Sequence, residues 1–261
     1  MGIPLVVAAV WFSRPAPWFT VLAAFVGVLA GLEYFRITGV LKSIVLTVFG
    51  LAGILYFILT GIIYDRIEDP TLVFPLLVVG AILSLISLIF IRHREDSFYR
   101  WSLMIGGVLY IGWLLYLLVD LRSLFGREWV LLALFVTFGS DTAAYFIGKA
   151  FGKHKLAPQI SPGKTWEGAI AGIIGGIIIA LLFAFSSPWQ LPLDYLEAIL
   201  LGAVVSVFGQ LGDLVESLLK RNFGVKDSGF LMPGHGGILD RLDSVLFAGA
   251  AVYGYCFLIK F

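Results

Sequence analysis

The chain has 261 residues, of which 60% are hydrophobic and only 13% charged, and its mean hydropathy is +0.99. A water-soluble domain carries roughly a quarter of charged residues, so half that content excludes a solvated coat and points to lipid. The net charge of +1 gives no reason to expect a nucleic-acid partner, and the single cysteine, Cys256, excludes an intrachain disulfide and argues against a thiol metal site.

The first apolar stretch, Ile3 to Phe12, is ten residues long, with no basic residue before it and Arg14-Pro15-Ala16-Pro17 after it. It is too short to span and lacks the basic flank of a signal peptide, so a half-membrane or interfacial helix is expected. Runs of spanning length then recur over Trp18–Tyr34, Ser43–Tyr64, Thr71–Ile91, Trp101–Val119, Trp129–Gly148, Trp166–Phe185, Leu196–Leu219 and Ile238–Leu258. Each supplies close to the ~20 residues needed to cross ~30 Å of hydrocarbon. Tryptophans open four of them, as interfacial belts favour. The expected fold is an all-α integral membrane protein of about nine hydrophobic helices, eight spanning and the first one short. Helices of residues 1–100 form its N-terminal part and those of 101–261 its C-terminal part, in a single membrane unit with no soluble domain.

Basic residues alternate from loop to loop. Arg36, Lys42, Arg92, Arg94, Arg100, Lys149, Lys153, Lys155, Lys164, Lys220, Arg221 and Lys226 fall on one side of the membrane. Only Arg14, Arg66, Arg122 and Arg127 fall on the other. The positive-inside rule assigns the first set to the cytoplasm.

Three of the helices carry acids. Asp141 lies well along the sixth segment, Asp213 and Glu216 stand three apart on the eighth, and Asp240 and Asp243 stand three apart on the ninth. An ionised side chain in hydrocarbon costs several kcal/mol, so these residues should face the protein interior or a water-filled cavity.

The densest polar stretch runs from Ser217 to Asp243. Lys220, Arg221, Lys226 and Arg241 offer anion-pairing donors, and Pro233-Gly234-His235-Gly236-Gly237 forms a turn through which backbone can approach a ligand. The turn enters a helix whose first amides favour phosphate. Asp240 and Asp243 then present hard oxygen donors for a divalent cation. The combination suits a metal-bound polyphosphate. A second basic group, Lys149, Lys153, His154 and Lys155, precedes the Ser161-Pro162-Gly163-Lys164-Thr165 turn at a helix start. That turn lacks the upstream glycine and strand of a P-loop. Gly168, Gly172 and Gly176 follow at four-residue spacing, which reads first as a helix-packing face. Neither a His-Glu-x-x-His nor a Cys-x-x-Cys pattern is present, so a zinc site is not expected.

Ser217, Lys220, Arg221, Lys226, Asp227, Gly229, Pro233, His235, Gly236, Gly237, Asp240, Arg241 and Asp243 together resemble the signature of the phosphatidate cytidylyltransferases. Met232 departs from it conservatively, standing where Leu, Ile or Phe is usual. Ser140-Asp141-Thr142 and the Ser161–Gly168 turn also look like that family's, so the resemblance covers about Ser140 to Ser244. Before Ser140 it rests on hydropathy.

The resemblance implies transfer of CMP from CTP to phosphatidic acid, at the cytoplasmic face of a bacterial inner membrane, with magnesium as cofactor and a second cation left open. It assigns the metal to Asp213, Asp240 and Asp243. Lys220, Arg221, Lys226, His235 and Arg241 act on the nucleotide and its leaving group, and Gly236 and Gly237 shape that site. Lys164, with Lys149 and Ser161, receives the lipid phosphate, and Asp141 either completes the metal cavity or pairs with a buried lysine. CTP, phosphatidic acid and membrane lipids are the implied partners, and a homodimer the implied assembly, with the small-residue face one possible contact. A transporter or channel would spread its polar residues over both halves or show inverted repeats, whereas here they crowd into the second half. A CDP-alcohol phosphotransferase would carry an Asp-Gly-x-x-Ala-Arg string, which is absent. A cytidylyltransferase acting on another phospholipid anion stays open at this point.

Overall fold

The computed structural model describes residues 2–12, 18–64, 73–90, 96–186, 189, 191–229 and 236–259. Among these, nine helices form in chain order: α1 (Gly2–Trp11), α2 (Trp18–Ile37), α3 (Ile44–Tyr64), α4 (Val73–Ser87), α5 (Ser97–Phe125), α6 (Arg127–Phe151), α7 (Trp166–Phe185), α8 (Tyr195–Asn222) and α9 (Leu239–Ile259). Six of them, α2 and α5 to α9, are long and apolar enough to cross a membrane. The other two long apolar stretches among the described residues, Ile44–Thr60 and Pro75–Phe90, are shorter; α3 as a whole runs 21 residues, and residues 71, 72 and 91 of the expected span around α4 lie outside the described residues. The all-α membrane architecture is as the hydropathy pattern implies.

One departure from all-helix lies between α6 and α7. The Ser-Pro-Gly-Lys-Thr segment, expected as a turn, is strand β2 (Ser161–Thr165), paired antiparallel with β1 (Lys155–Ala157) in the register Lys155↔Thr165 and Ala157↔Ser161. Pro162 and Gly163 disfavour helix, so the chain stays extended until Thr165. There the threonine Oγ1 accepts the amide of Gly168 at 3.2 Å and caps α7.

The chain divides into two compact units, Met1–Val119 with Asp227–Leu239, and Asp120–Lys226 with Asp240–Phe261. In the first unit α2 lies close along α3. A Cβ at Gly27 would stand 2.6 Å from Ile58 Cδ1, and one at Gly31 2.7 Å from Ile54 Cδ1. Lipid tails are as apolar as leucine, so helices in a bilayer gain by van der Waals contact, which small residues permit. Phe35, Leu46, Ile54, Ile58, Met104 and Ile111 fill the interior of this unit. Val108–Trp113 in α5 winds as a wider π-helical turn.

In the second unit α7 is clasped between α6 and α8. Gly168, Gly172 and Gly176 are all buried. A Cβ on Gly168 would stand 2.8 Å from the Ala144 carbonyl of α6. One on Gly176 would stand 3.1 Å from the Gly202 carbonyl of α8. The four-residue stripe is thus the packing face its spacing suggests. Its burial within one chain removes it as a contact for a second copy. Helix α8 opens on a reciprocal capping box, with Glu197 N donating to Asp194 Oδ1 at 2.7 Å and Asp194 N to Glu197 Oε2 at 3.0 Å.

Candidate active site

Two ion-pair groups of the second unit centre on acids and a lysine of α8. Lys164, extended from β2, places Nζ 2.9 Å from Asp213 Oδ2 on α8 and donates to the Gln210 carbonyl at 3.3 Å. Gln210 itself donates through Nε2 to the Ala169 carbonyl at 3.1 Å, so one side chain ties α8 to α7 beside the lysine. Ser217, one turn beyond Asp213, donates to Asp213 Oδ1 at 3.3 Å. The other group centres on Lys220, whose Nζ lies 2.5 Å from Glu216 Oε2 and 2.6 Å from Asp240 Oδ1. The Lys220 and Asp240 side chains are 14% and 16% exposed and Glu216 1%, so this triad is shielded from water and its attractions are little screened.

Asp243 is buried one turn after Asp240, and its Oδ1 accepts the Ser244 amide at 2.7 Å. The start of α9 approaches α8 closely here, because Gly212 leaves no side chain between them. A Cβ at that position would strike the Asp243 carbonyl. Asp243 consequently lies within electrostatic reach of Asp213, Asp141 and Lys220. Asp141, exposed on α6, lies within reach of Asp213 and Lys164.

These residues can be tested for fit to a divalent cation. Among the described residues, no three of His, Cys, Asp and Glu are drawn together as a ready metal cage. The fit is one of charge and donor type. Asp141, Asp213 and Asp243 share one neighbourhood in which Lys164 is the directly paired cation of Asp213. That leaves surplus negative charge on hard oxygen donors, which is what magnesium neutralises. Asp240, also expected as a ligand, pairs through Oδ1 with Lys220.

The remaining expected residues are placed as follows. Arg221 donates from Nε to the Ile160 carbonyl at 3.2 Å, tethering the β1–β2 turn to the end of α8. Lys149 is exposed at the end of α6, its Nζ 3.5 Å from the Tyr145 hydroxyl and 5.6 Å from that ring's centre. Ser161 opens β2, half-buried, and Lys226 and Arg241 are exposed. His235, with Pro233 and Gly234, lies outside the described residues. His154 and Glu167 pair at 2.7 Å and tie the residue before β1 to α7.

The first unit contains the other part of the signature, Asp227 to Leu239. Gly236 there adopts a left-handed φ of +78°. Gly237 is buried, with room for a Cβ only 2.6 Å from Glu33 Oε2 and 2.7 Å from the Gly229 amide. Glu33, from α2, accepts the Ser228 hydroxyl at 3.1 Å, the Ile238 amide at 3.1 Å and the Leu239 amide at 2.9 Å. Two of the amides at the head of α9 are therefore occupied by a carboxyl group. Glu33, Gln210 and Glu216 are the residues that sequence reasoning left out of the site. All three carry the signal of a polar side chain on an otherwise apolar helix.

A family model described as the cytidylyltransferase family matches residues 1–259 of the chain. A phosphatidate cytidylyltransferase of Bacillus subtilis is 47% identical over 147 residues, 56% of this chain and 54% of that protein. One of Staphylococcus haemolyticus is 51% identical over 122 residues, 47% of this chain and 46% of that protein. One of Brucella suis is 45% identical over 133 residues, 49% of this chain and 47% of that protein. The aligned stretch thus spans about half the length of these relatives.

Proposed function

Because the chain belongs to the cytidylyltransferase family, we propose that it transfers CMP from CTP to phosphatidic acid, yielding CDP-diacylglycerol and pyrophosphate. The observation that carries the reading is the pair of lysines, Lys164 and Lys220, each held in place by carboxylates of the second unit. Apolar surroundings need a reason to hold two ammonium groups, and anionic phosphates from a lipid and a nucleotide supply one.

The chemistry asks little of a general base, since a phosphate monoester is already anionic near neutral pH. An oxygen of the lipid phosphate attacks the α-phosphorus of CTP, and the bond from that phosphorus to the β-phosphate oxygen breaks, releasing pyrophosphate. The obstacle is bringing two anions together, and such transfers are governed by positioning and charge neutralisation. Lysine carries three donor hydrogens. Lys164 directs two at Asp213 and Gln210, which leaves one for a lipid phosphate. Lys220 directs two at Glu216 and Asp240, which leaves one for the triphosphate. Arg221, Lys226 and Arg241 add positive charge for the leaving pyrophosphate, and His235 belongs to the nucleotide side. Asp213 and Asp243, with Asp141, are the residues that would hold magnesium, and Asp240, whose Oδ1 pairs with Lys220, adds a further carboxylate. When bound, the ion would neutralise phosphate charge beyond what the lysines supply. The loop asymmetry in basic residues supports a site at the cytoplasmic face, where CTP is present.

The test is incubation of the purified, detergent-solubilised protein with labelled CTP, phosphatidic acid and magnesium. A lipid product that depends on CTP, on phosphatidic acid and on the metal is expected. Label found only in water-soluble species, across several anionic lipids, would remove the proposal.

A further inference from the structure

We propose that Glu33, on the second helix of the chain, is a positioning residue that holds Ser228 and the start of α9 in working geometry. Its carboxyl group is 4% exposed and lies inside the first unit, with three hydrogen bonds converging on it. Two come from consecutive amides at the head of α9 and one from the Ser228 hydroxyl, so both described ends of the Asp227–Leu239 segment are fastened to one side chain.

The neighbouring glycines agree with this. A Cβ on Gly229 would collide with the Glu33 carboxyl group, and one on Gly237 would collide with Ser228 Oγ and stand 2.6 Å from Glu33 Oε2. These two positions lack side chains because the chain folds around an internal acid. The head of a helix carries unsatisfied amides and a partial positive charge, and the Glu33 carboxyl group accepts two of those amides. What α2 supplies is therefore an anchor for the start of α9. The effect on catalysis rests on the proposed transferase reading, whereas the anchoring does not.

The experiment uses the full-length protein in detergent, comparing wild type with Glu33→Gln, Ser228→Ala and Thr38→Val. Glutamine keeps the size of Glu33 but offers one acceptor oxygen in place of two, so it cannot accept from both amides and the hydroxyl. Amide hydrogen exchange over residues 226–242 should quicken about tenfold in Glu33→Gln, and less in Ser228→Ala, as a buried hydrogen bond is lost. Thr38→Val removes a buried hydroxyl just past the end of α2 that bonds the Tyr34 carbonyl, and it should leave the exchange of residues 226–242 unchanged. In the CTP and phosphatidic acid assay, Glu33→Gln should lower kcat about 10- to 100-fold, as loss of a supporting partner does, with KM for phosphatidic acid unmoved. Glu33→Asp should recover part of the loss. Unchanged exchange in Glu33→Gln overturns the anchoring whatever the activity. Quickened exchange with unaltered kcat overturns the positioning role. If wild type shows no transfer, the exchange result still decides the anchoring, and it is the transferase reading that fails.

Discussion

At the scale of single residues, each lysine of the site makes a distinct prediction. Lys164 is half-buried between Asp213 and the Gln210 carbonyl, remote in sequence from the signature but joined to it through α8. Replacing it with alanine should raise KM for phosphatidic acid about tenfold, one lost charge-assisted contact, while KM for CTP changes little. Steady-state kinetics in mixed micelles checks this, and an unchanged phosphatidic acid KM would withdraw Lys164 from the lipid site. Asp240→Asn addresses Lys220. It removes one of two carboxylates that hold a nearly water-free ammonium, and it removes a candidate ligand of magnesium as well. Turnover at saturating magnesium should fall about 100-fold, the size expected for one preorganised electrostatic partner. Turnover near wild type would show that neither role of Asp240 matters to the chemistry.

At the scale of elements, the active unit depends on helices that approach more closely than ordinary side chains allow. Gly176 faces the Gly202 carbonyl and Val136 Cγ1, each 3.1 Å from where its Cβ would stand, and Ser206 Oγ lies closer still. Gly176→Val should therefore force α7 away from α8 and destabilise the protein by about 1–3 kcal/mol, the range for overpacking. Thermal unfolding in detergent should show a lowered Tm, with activity lost in parallel, because Lys164 leads into α7 while Asp213 lies on α8. The capping box at Asp194 makes a smaller claim. Asp194→Ala removes an acceptor for one otherwise unbonded amide at the start of α8, so stability should drop by about 1 kcal/mol. Activity at low temperature should be retained, since this end of α8 is more than four turns from Asp213.

At the scale of the whole molecule, orientation is testable because the chain holds a single, fully buried thiol, Cys256. Asn222, exposed at the end of α8, and Leu124, 56% exposed near the end of α5, fall on opposite sides by the distribution of basic residues. Asn222→Cys should react with a membrane-impermeant maleimide only after cells are opened, and Leu124→Cys in intact cells. The reverse pattern would place the site on the wrong side for CTP.

The sequence by itself determined the membrane class, the number of helices, the packing role of the Gly168–Gly172–Gly176 stripe and the polar stretch from Ser217 to Asp243. Each of these is written locally, in composition, in spacing along one helix, or in a run of neighbouring residues. Tertiary structure alone decided the partnerships. Asp213 meets Lys164 across 49 positions of sequence, Asp240 meets Lys220, and the segment Ser161–Thr165 is a strand whose last residue caps α7. It also decided that the amides heading α9 belong to Glu33, more than 200 residues earlier. No periodicity announces such contacts, because a carboxyl group on an apolar helix has several cations and amides within reach of the folded chain. Which one it meets depends on how closely the helices approach, and that is set by glycines such as Gly212 and Gly237 whose partners lie far away in sequence.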